Sequence, residues 1–182
     1  MNYLKKYFKI FILFLLIPFN LHAQWVEKEV DNNLFVKFPS SPTYEYDDEL
    51  SRYSAQTENC WFAVVITDKL PKEIYAQILL LTENEQKHYI NTILDGAVQG
   101  ELYVSDNVPV NVKSFKIGKY YGREYSYSAI NPKTGNKGLR YVKIISKETK
   151  IIIFYCVFLQ NSQESLNEKN TFLNSLKYNR EK

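Results

Sequence analysis

The stretch that most constrains this chain is Ile151 to Leu159 (IIIFYCVFL), nine consecutive residues without a charge, a glycine or a proline. Most are β-branched or aromatic, and turn-type residues flank them, Glu148-Thr149-Lys150 before and Gln160-Asn161-Ser162 after. A half-solvated strand alternates apolar with polar residues, so an unbroken run of this length reads as a strand covered on both faces. Nine residues are too few to cross a bilayer as a helix, which takes about 20. The rest of the chain must supply partners for this strand and covers for its two faces.

Several segments can do so. Leu34 to Phe38 alternates, with Leu34, Val36 and Phe38 on one face, and Pro39 and Pro42 stop it because proline cannot donate to a ladder. A long candidate strand runs from Arg52 to Thr67, and its half Trp61 to Ile66 is again continuously apolar. Further strands are expected at Val110–Lys116, Tyr120–Ile130 and Leu139–Ser146, the last two joined by the turn-rich Asn131 to Gly138. Pro71 opens a short helix through Leu81. Thr82 and Glu85 fit a capping box before Ile90, Ile93, Leu94, Ala97 and Val98, which share a helical face ended by Gly100. A closing helix starts at Asn161 as N-cap and presents Leu166, Phe172, Leu173 and Leu176. Hairpin-length gaps between strands imply antiparallel pairing, since a parallel crossover needs a dozen or more residues. The expected class is α+β, an α/β/α sandwich with a mostly antiparallel sheet covered by two amphipathic helices.

The first 23 residues differ from the rest. Lys5, Lys6 and Lys9 precede the apolar Ile10 to Ile17, and Leu21-His22-Ala23 offers a cleavage site before Gln24. That is the three-part grammar of a secretory signal peptide. The apolar core is short for a membrane span and is interrupted by Pro18 and Asn20. The expectation is a signal peptide over 1–23, a single domain over 24–182, a periplasmic or secreted location, and no membrane span after cleavage. Removing 1–23 takes away three of 23 basic residues and none of the 20 acidic ones, leaving 20 of each. This even balance gives no support to a nucleic-acid partner, which calls for a basic patch. Hydrophobic content of 45%, with 15 Tyr and 11 Phe, suffices for a core.

Four fragments together resemble a known family. LFVKFPSSP (Leu34 to Pro42) is similar to the first-strand motif Phe-x-Val-x-Phe-Pro-x-x-Pro of secreted bacterial proteins related to the PsbP-like fold, with Leu34 in place of the leading aromatic. ILDGAVQG (Ile93 to Gly100) resembles their first-helix motif, Gly122-Arg123-Glu124-Tyr125 their Gly-Arg-Glu-aromatic strand, and Phe172 to Leu176 their closing helix. The resemblance implies an α/β/α sandwich. It also implies an accessory or binding role, since the photosystem II subunit and the Ran-binding import factor that share this fold are not conventional enzymes.

Few residues carry recognisable chemistry. His88 is the one histidine beyond residue 23, and it stands on the capped helix between Lys87 and Tyr89. Cys60 and Cys156 lack the spacing of a metal pair or a nucleophile motif. Glu45, Asp47, Asp48 and Glu49 do not follow the spacing of a calcium loop. No cofactor and no metal is expected. In an exported protein Cys60 and Cys156 can bridge, but two buried free thiols are the favoured expectation. Alternation places Tyr121, Arg123, Tyr125 and Tyr127 on one strand face. They form either a binding platform or, as favoured, a core face under a helix, with Arg123 paired to a carboxylate. Two functions follow as expectations. The first is an exported non-enzymatic binding or accessory domain of the bacterial cell envelope, whose partner is an envelope protein or small ligand. The alternative is an envelope hydrolase of unrecognised type using scattered carboxylates or His88.

Overall fold

The computed structural model describes residues 25–47, 50–105, 109–130, 135 and 137–179. The segment read as a signal peptide lies outside the described residues, as does most of the 131–138 connection. Ten strands and three helices are described: β1 (Val26–Asp31), β2 (Leu34–Phe38), β3 (Thr43–Asp47), β4 (Leu50–Gln56), β5 (Cys60–Asp68), α1 (Lys72–Leu79), α2 (Glu83–Ser105), β6 (Val110–Ile117), β7 (Tyr120–Ile130), β8 (Lys137–Lys147), β9 (Lys150–Phe158), α3 (Gln163–Asn174) and β10 (Lys177–Tyr178).

The uncharged run becomes β9, the middle strand of a seven-stranded sheet ordered β3-β4-β5-β9-β8-β7-β6. Every pairing in it is antiparallel. β9 is paired along its length with β5, from Cys60↔Phe158 to Asp68↔Lys150, and with β8, from Arg140↔Val157 to Lys147↔Lys150. Its side chains divide by parity. Ile152, Phe154, Cys156 and Phe158 pack with Phe62 and Val64 of β5, with Leu34, Val36 and Phe38 of β2, and with Phe172 and Leu173 of α3. Ile151, Ile153 and Tyr155 face the other way, into a cluster with Leu94, Val98 and Leu102 of α2 and Val142 and Ile144 of β8. The uncharged run from Ile151 to Phe158 thus follows from the packing, because both faces of the strand are covered.

A second sheet, β1-β2-β10, was not expected from the sequence. β1 (VEKEVD) is polar and mostly exposed, and β10 is two residues long, so neither carries a strand signal. β2 keeps the expected alternation, with Leu34, Val36 and Phe38 fully buried.

Three local expectations are corrected. The segment Arg52 to Thr67 is two strands, because Thr57, Glu58 and Asn59 turn the chain. The Thr57 hydroxyl accepts from the backbone N–H of Asn59 and of Cys60, and itself donates to Glu168. Asn59 also donates to Glu168, at 3.1 Å. α2 does not stop at Gly100 but continues to Ser105. Glycine costs a helix about 1 kcal/mol, and that is outweighed by what the extra turn places: Leu102 in the core and Glu101 beside Tyr125 and Tyr127. The closing helix is capped by Ser162 rather than Asn161. Ser162 is extended at φ −138°, and its Oγ accepts from Ser165 N at 3.1 Å.

Candidate functional site: a cleft at one end of the large sheet

Antiparallel order gathers particular connections at one end. The β6–β7 and β8–β9 turns lie at the same end of neighbouring hairpins, and the exit of β5 joins them, its Lys69 and Leu70 N–H groups both reaching Thr149 O at 3.1 Å. From that exit the chain enters α1 and the start of α2, which lean over the strand ends. Between them lies a cleft of about 250 Å³. Its helical wall carries Leu70, Ile78, Leu79, Ile90 and Ile93 together with Tyr75, Glu83 and Gln86, and its strand wall carries Tyr120, Tyr121, Lys116, Lys119, Ser146 and Glu148.

Each wall has a local cause. The two helices meet through a short link in which Gln86 Nε2 donates to Leu81 O at 2.8 Å. Thr82 N and Thr82 Oγ1 both donate to Glu85 Oε2, at 2.9 and 2.6 Å, and these bonds hold the Glu85 carboxyl below its ordinary range. This is the reach-back half of the expected capping box. The β6–β7 turn places Gly118 at φ 55°, and a Cβ there would come 2.5 Å from the Tyr178 ring. Only glycine allows both that dihedral and that approach. In the β8–β9 turn Glu148 itself adopts φ 58°.

The electrostatics separate into an ion-paired back and a mouth whose charges are unpaired among the described residues. Behind the cleft, Asp31 of β1 receives Lys147 and Lys150, each at 2.5 Å. Burial pushes the Asp31 carboxyl up, but the hydrogen bonds and charges of the two lysines outweigh it and hold the group below its usual range. The Tyr120 hydroxyl lies 3.4 Å from Glu148 Oε1. Burial raises the Tyr120 phenol, as do Tyr178 and Glu148, and burial with Glu148 raises Tyr75. Both phenols therefore stay protonated at neutral pH, and that of Tyr120 donates to Glu148. At the mouth, Lys116 Nζ sits 4.7 Å from the Tyr121 ring centre and Lys119 Nζ 5.4 Å from that of Tyr120.

The four residues singled out on β7 are only partly brought to this cleft. Tyr121 lines it. Arg123, Tyr125 and Tyr127 continue along the same face beneath α2, where all three are buried. Arg123 Nε donates to Asp95 at 2.8 Å, and the Tyr125 and Tyr127 hydroxyls both donate to Glu101 at 2.6 Å. Arg140 donates to the Tyr127 hydroxyl at 2.9 Å while its guanidinium lies 5.5 Å from the rings of both Tyr127 and Tyr155. These three side chains form an interior, not an open platform.

Cys60 and Cys156 are buried free thiols on adjacent strands. They stand one diagonal step apart on the same face, since Cys60 is opposite Phe158 and Cys156 opposite Phe62. Burial pushes the Cys156 thiol far up, with Cys60 adding to the shift, so it is held protonated. His88 is exposed on α2. Among the described residues no group of three or more His, Cys, Asp or Glu is placed to hold a metal ion. No helix among them is long and apolar enough to cross a membrane.

The cleft residues Lys116, Lys119, Tyr75, Ser146 and Glu148 were not marked as a site by the sequence. The hairpins that carry four of the five were legible, but their meeting at one end depends on strand order.

No family model and no curated protein matches the sequence. Among solved structures the fold is similar to that of cyanobacterial PsbP (CyanoP) from Synechocystis sp. PCC 6803. The TM-score is 0.51 at 10% identity, covering 86% of this chain and 94% of that one. A crystal structure from Bacteroides thetaiotaomicron VPI-5482 aligns at TM-score 0.40 and 12% identity over 82% of this chain and 46% of that one. PA94 of Pseudomonas aeruginosa, a protein of unknown function, aligns at 0.40 and 10% over 80% and 88%. The fold is PsbP-like, an α+β arrangement with a large antiparallel sheet and three helices.

Proposed function

We propose that this chain is an exported, non-enzymatic accessory domain of the bacterial cell envelope that works by holding a small ligand. In this reading residues 1–23 are a cleaved signal peptide, residues 24–182 form one domain, and α2 and α3 are the two covers of an α/β/α sandwich. The observation that carries the proposal is the cleft between α1, α2 and the strand ends. It combines aliphatic and aromatic side chains with convergent polar groups, the usual make-up of a small-ligand site. The basic, apolar and small-residue order of residues 1–23 supports export.

Expression of the full chain in a bacterial host tests both parts. Intact mass of the protein recovered from periplasm or medium should correspond to a start at Gln24, and residues 1–23 retained in a membrane pellet would overturn export. Fragment screening by NMR should shift the amides of Tyr120, Tyr121 and Ile90. Hits that cluster elsewhere would remove the cleft as the site. Turnover of ester or glycoside probes by the same protein would instead favour the envelope hydrolase.

A further inference from the structure

We infer that the cleft selects an anionic, ring-bearing small molecule, an aromatic carboxylate in particular; this rests on the reading of the cleft as a ligand site. The inference comes from which charges at the cleft are already answered. Glu148 accepts from the Tyr120 hydroxyl and lies within the field of Lys150, whose own pKa it helps raise. Glu83 stands in the first turn of α2, where the helix start favours a carboxylate, and it forms no ion pair among the described residues. Lys147 and Lys150 are both committed to Asp31. Lys116 and Lys119 form no ion pair among the described residues and rest instead over tyrosine rings. The charges left without a counter-ion at the mouth are therefore two ammonium groups against the one carboxylate of Glu83, a positive excess.

The remaining surface fits a ring. Ile90, Ile93, Ile78 and Leu79 face Tyr120 and Tyr121 across a space of about 250 Å³, enough for one fused ring with a short acidic arm. A ring seated there displaces water from apolar walls, and its carboxylate reaches the two ammonium groups at the mouth. A cation of the same shape meets Lys116 and Lys119 as like charges, which is a penalty built into the site.

The test is calorimetric titration of the purified protein with three probes of matched shape: indole-3-acetate, indole and tryptamine. The carboxylate should bind at least tenfold tighter than either of the others. Lys116→Met with Lys119→Met keeps both side-chain stems and should remove that advantage, while Lys169→Met on α3 leaves it unchanged. Thermal melts of all variants check that each is folded. Equal binding of indole or tryptamine, or an indole-3-acetate affinity unmoved in the double variant, overturns the anionic selectivity while leaving a ligand cleft in place. Binding of none of the three overturns the cleft reading itself.

Discussion

Lys147 Nζ lies 2.5 Å from Asp31 Oδ2, with only 3% of the lysine side chain and 7% of the aspartate side chain exposed. Asp31 ends β1 of the small sheet and Lys147 ends β8 of the large one, so this contact ties the two sheets together next to the cleft. Lys150 adds a second contact to the same carboxylate. A charge this deeply placed is costly unless paired, which makes the carboxylate a structural requirement of the lysines.

Asp31→Asn should therefore destabilise the protein by about 3–5 kcal/mol at neutral pH, through a buried lysine left without its counter-charge. The pH dependence has a definite sign. The folded carboxyl titrates below its ordinary value of 3.8, so the unfolded chain takes up the proton first as pH falls. The stabilisation is complete above that value and is lost as pH drops through the folded pKa. Urea melts from pH 7 to pH 2.5 should show the gap between wild type and Asp31→Asn closing only below about pH 4. A gap that stays constant to the acid end would show that the ion pair is not its source.

The centre of the sheet should be the least tolerant part of the chain. Phe154 is 1% exposed in a cluster that draws on β2, β5, β9 and α3, and Phe154→Ala should cost about 3–5 kcal/mol. The exposed His88 offers a contrast, since His88→Ala should stay within about 0.5 kcal/mol. Thermal melts ranking His88→Ala as the worse lesion would reject this assignment of the core.

Two glycines should respond with opposite signs. Gly100 lies within α2 with nothing within 4 Å of an added Cβ, so Gly100→Ala should stabilise by roughly 0.5–1 kcal/mol. Gly118 has a positive φ and a tyrosine ring in the way. Gly118→Ala should lower the melting temperature and disturb the cleft-side amides of Tyr120 and Tyr121.

The thiols should be present but silent. Unfolded under non-reducing conditions, each chain should react with two equivalents of a thiol reagent, from Cys60 and Cys156. The native protein should react with almost none, because both are fully buried and Cys156 is held protonated. Zero reactive thiols in the unfolded, unreduced chain would mean that the two are bridged. Their diagonal placement argues against that, since such neighbours on paired strands stand about 7–8 Å apart, beyond the usual disulfide span.

How much was legible in advance depended on whether the signal was local. The run 151–159 had to be a doubly covered strand, since nine consecutive apolar residues leave no face for water, and it became the middle of the sheet. β7 was readable to the residue, at Tyr120 and Ile130, because its ends coincide with a Gly-Lys turn and an Asn-Pro pair. Local signals failed where a distant partner decided the outcome. Gly100 reads as a helix stop until the tyrosines of β7 and the core at Leu102 are brought beneath it. The polar β1 becomes a strand only because β2 lies beside it and Lys147 waits for Asp31. On β7, alternation put Tyr121, Arg123, Tyr125 and Tyr127 on one face, but whether that face met water or α2 was settled by packing. The cleft is the extreme case: its residues come from α1, α2 and the ends of two hairpins, spread from Leu70 to Glu148. Turn chemistry determines each piece alone, whereas their meeting depends on strand order, which is set by which buried faces fit together and not by any short stretch of sequence.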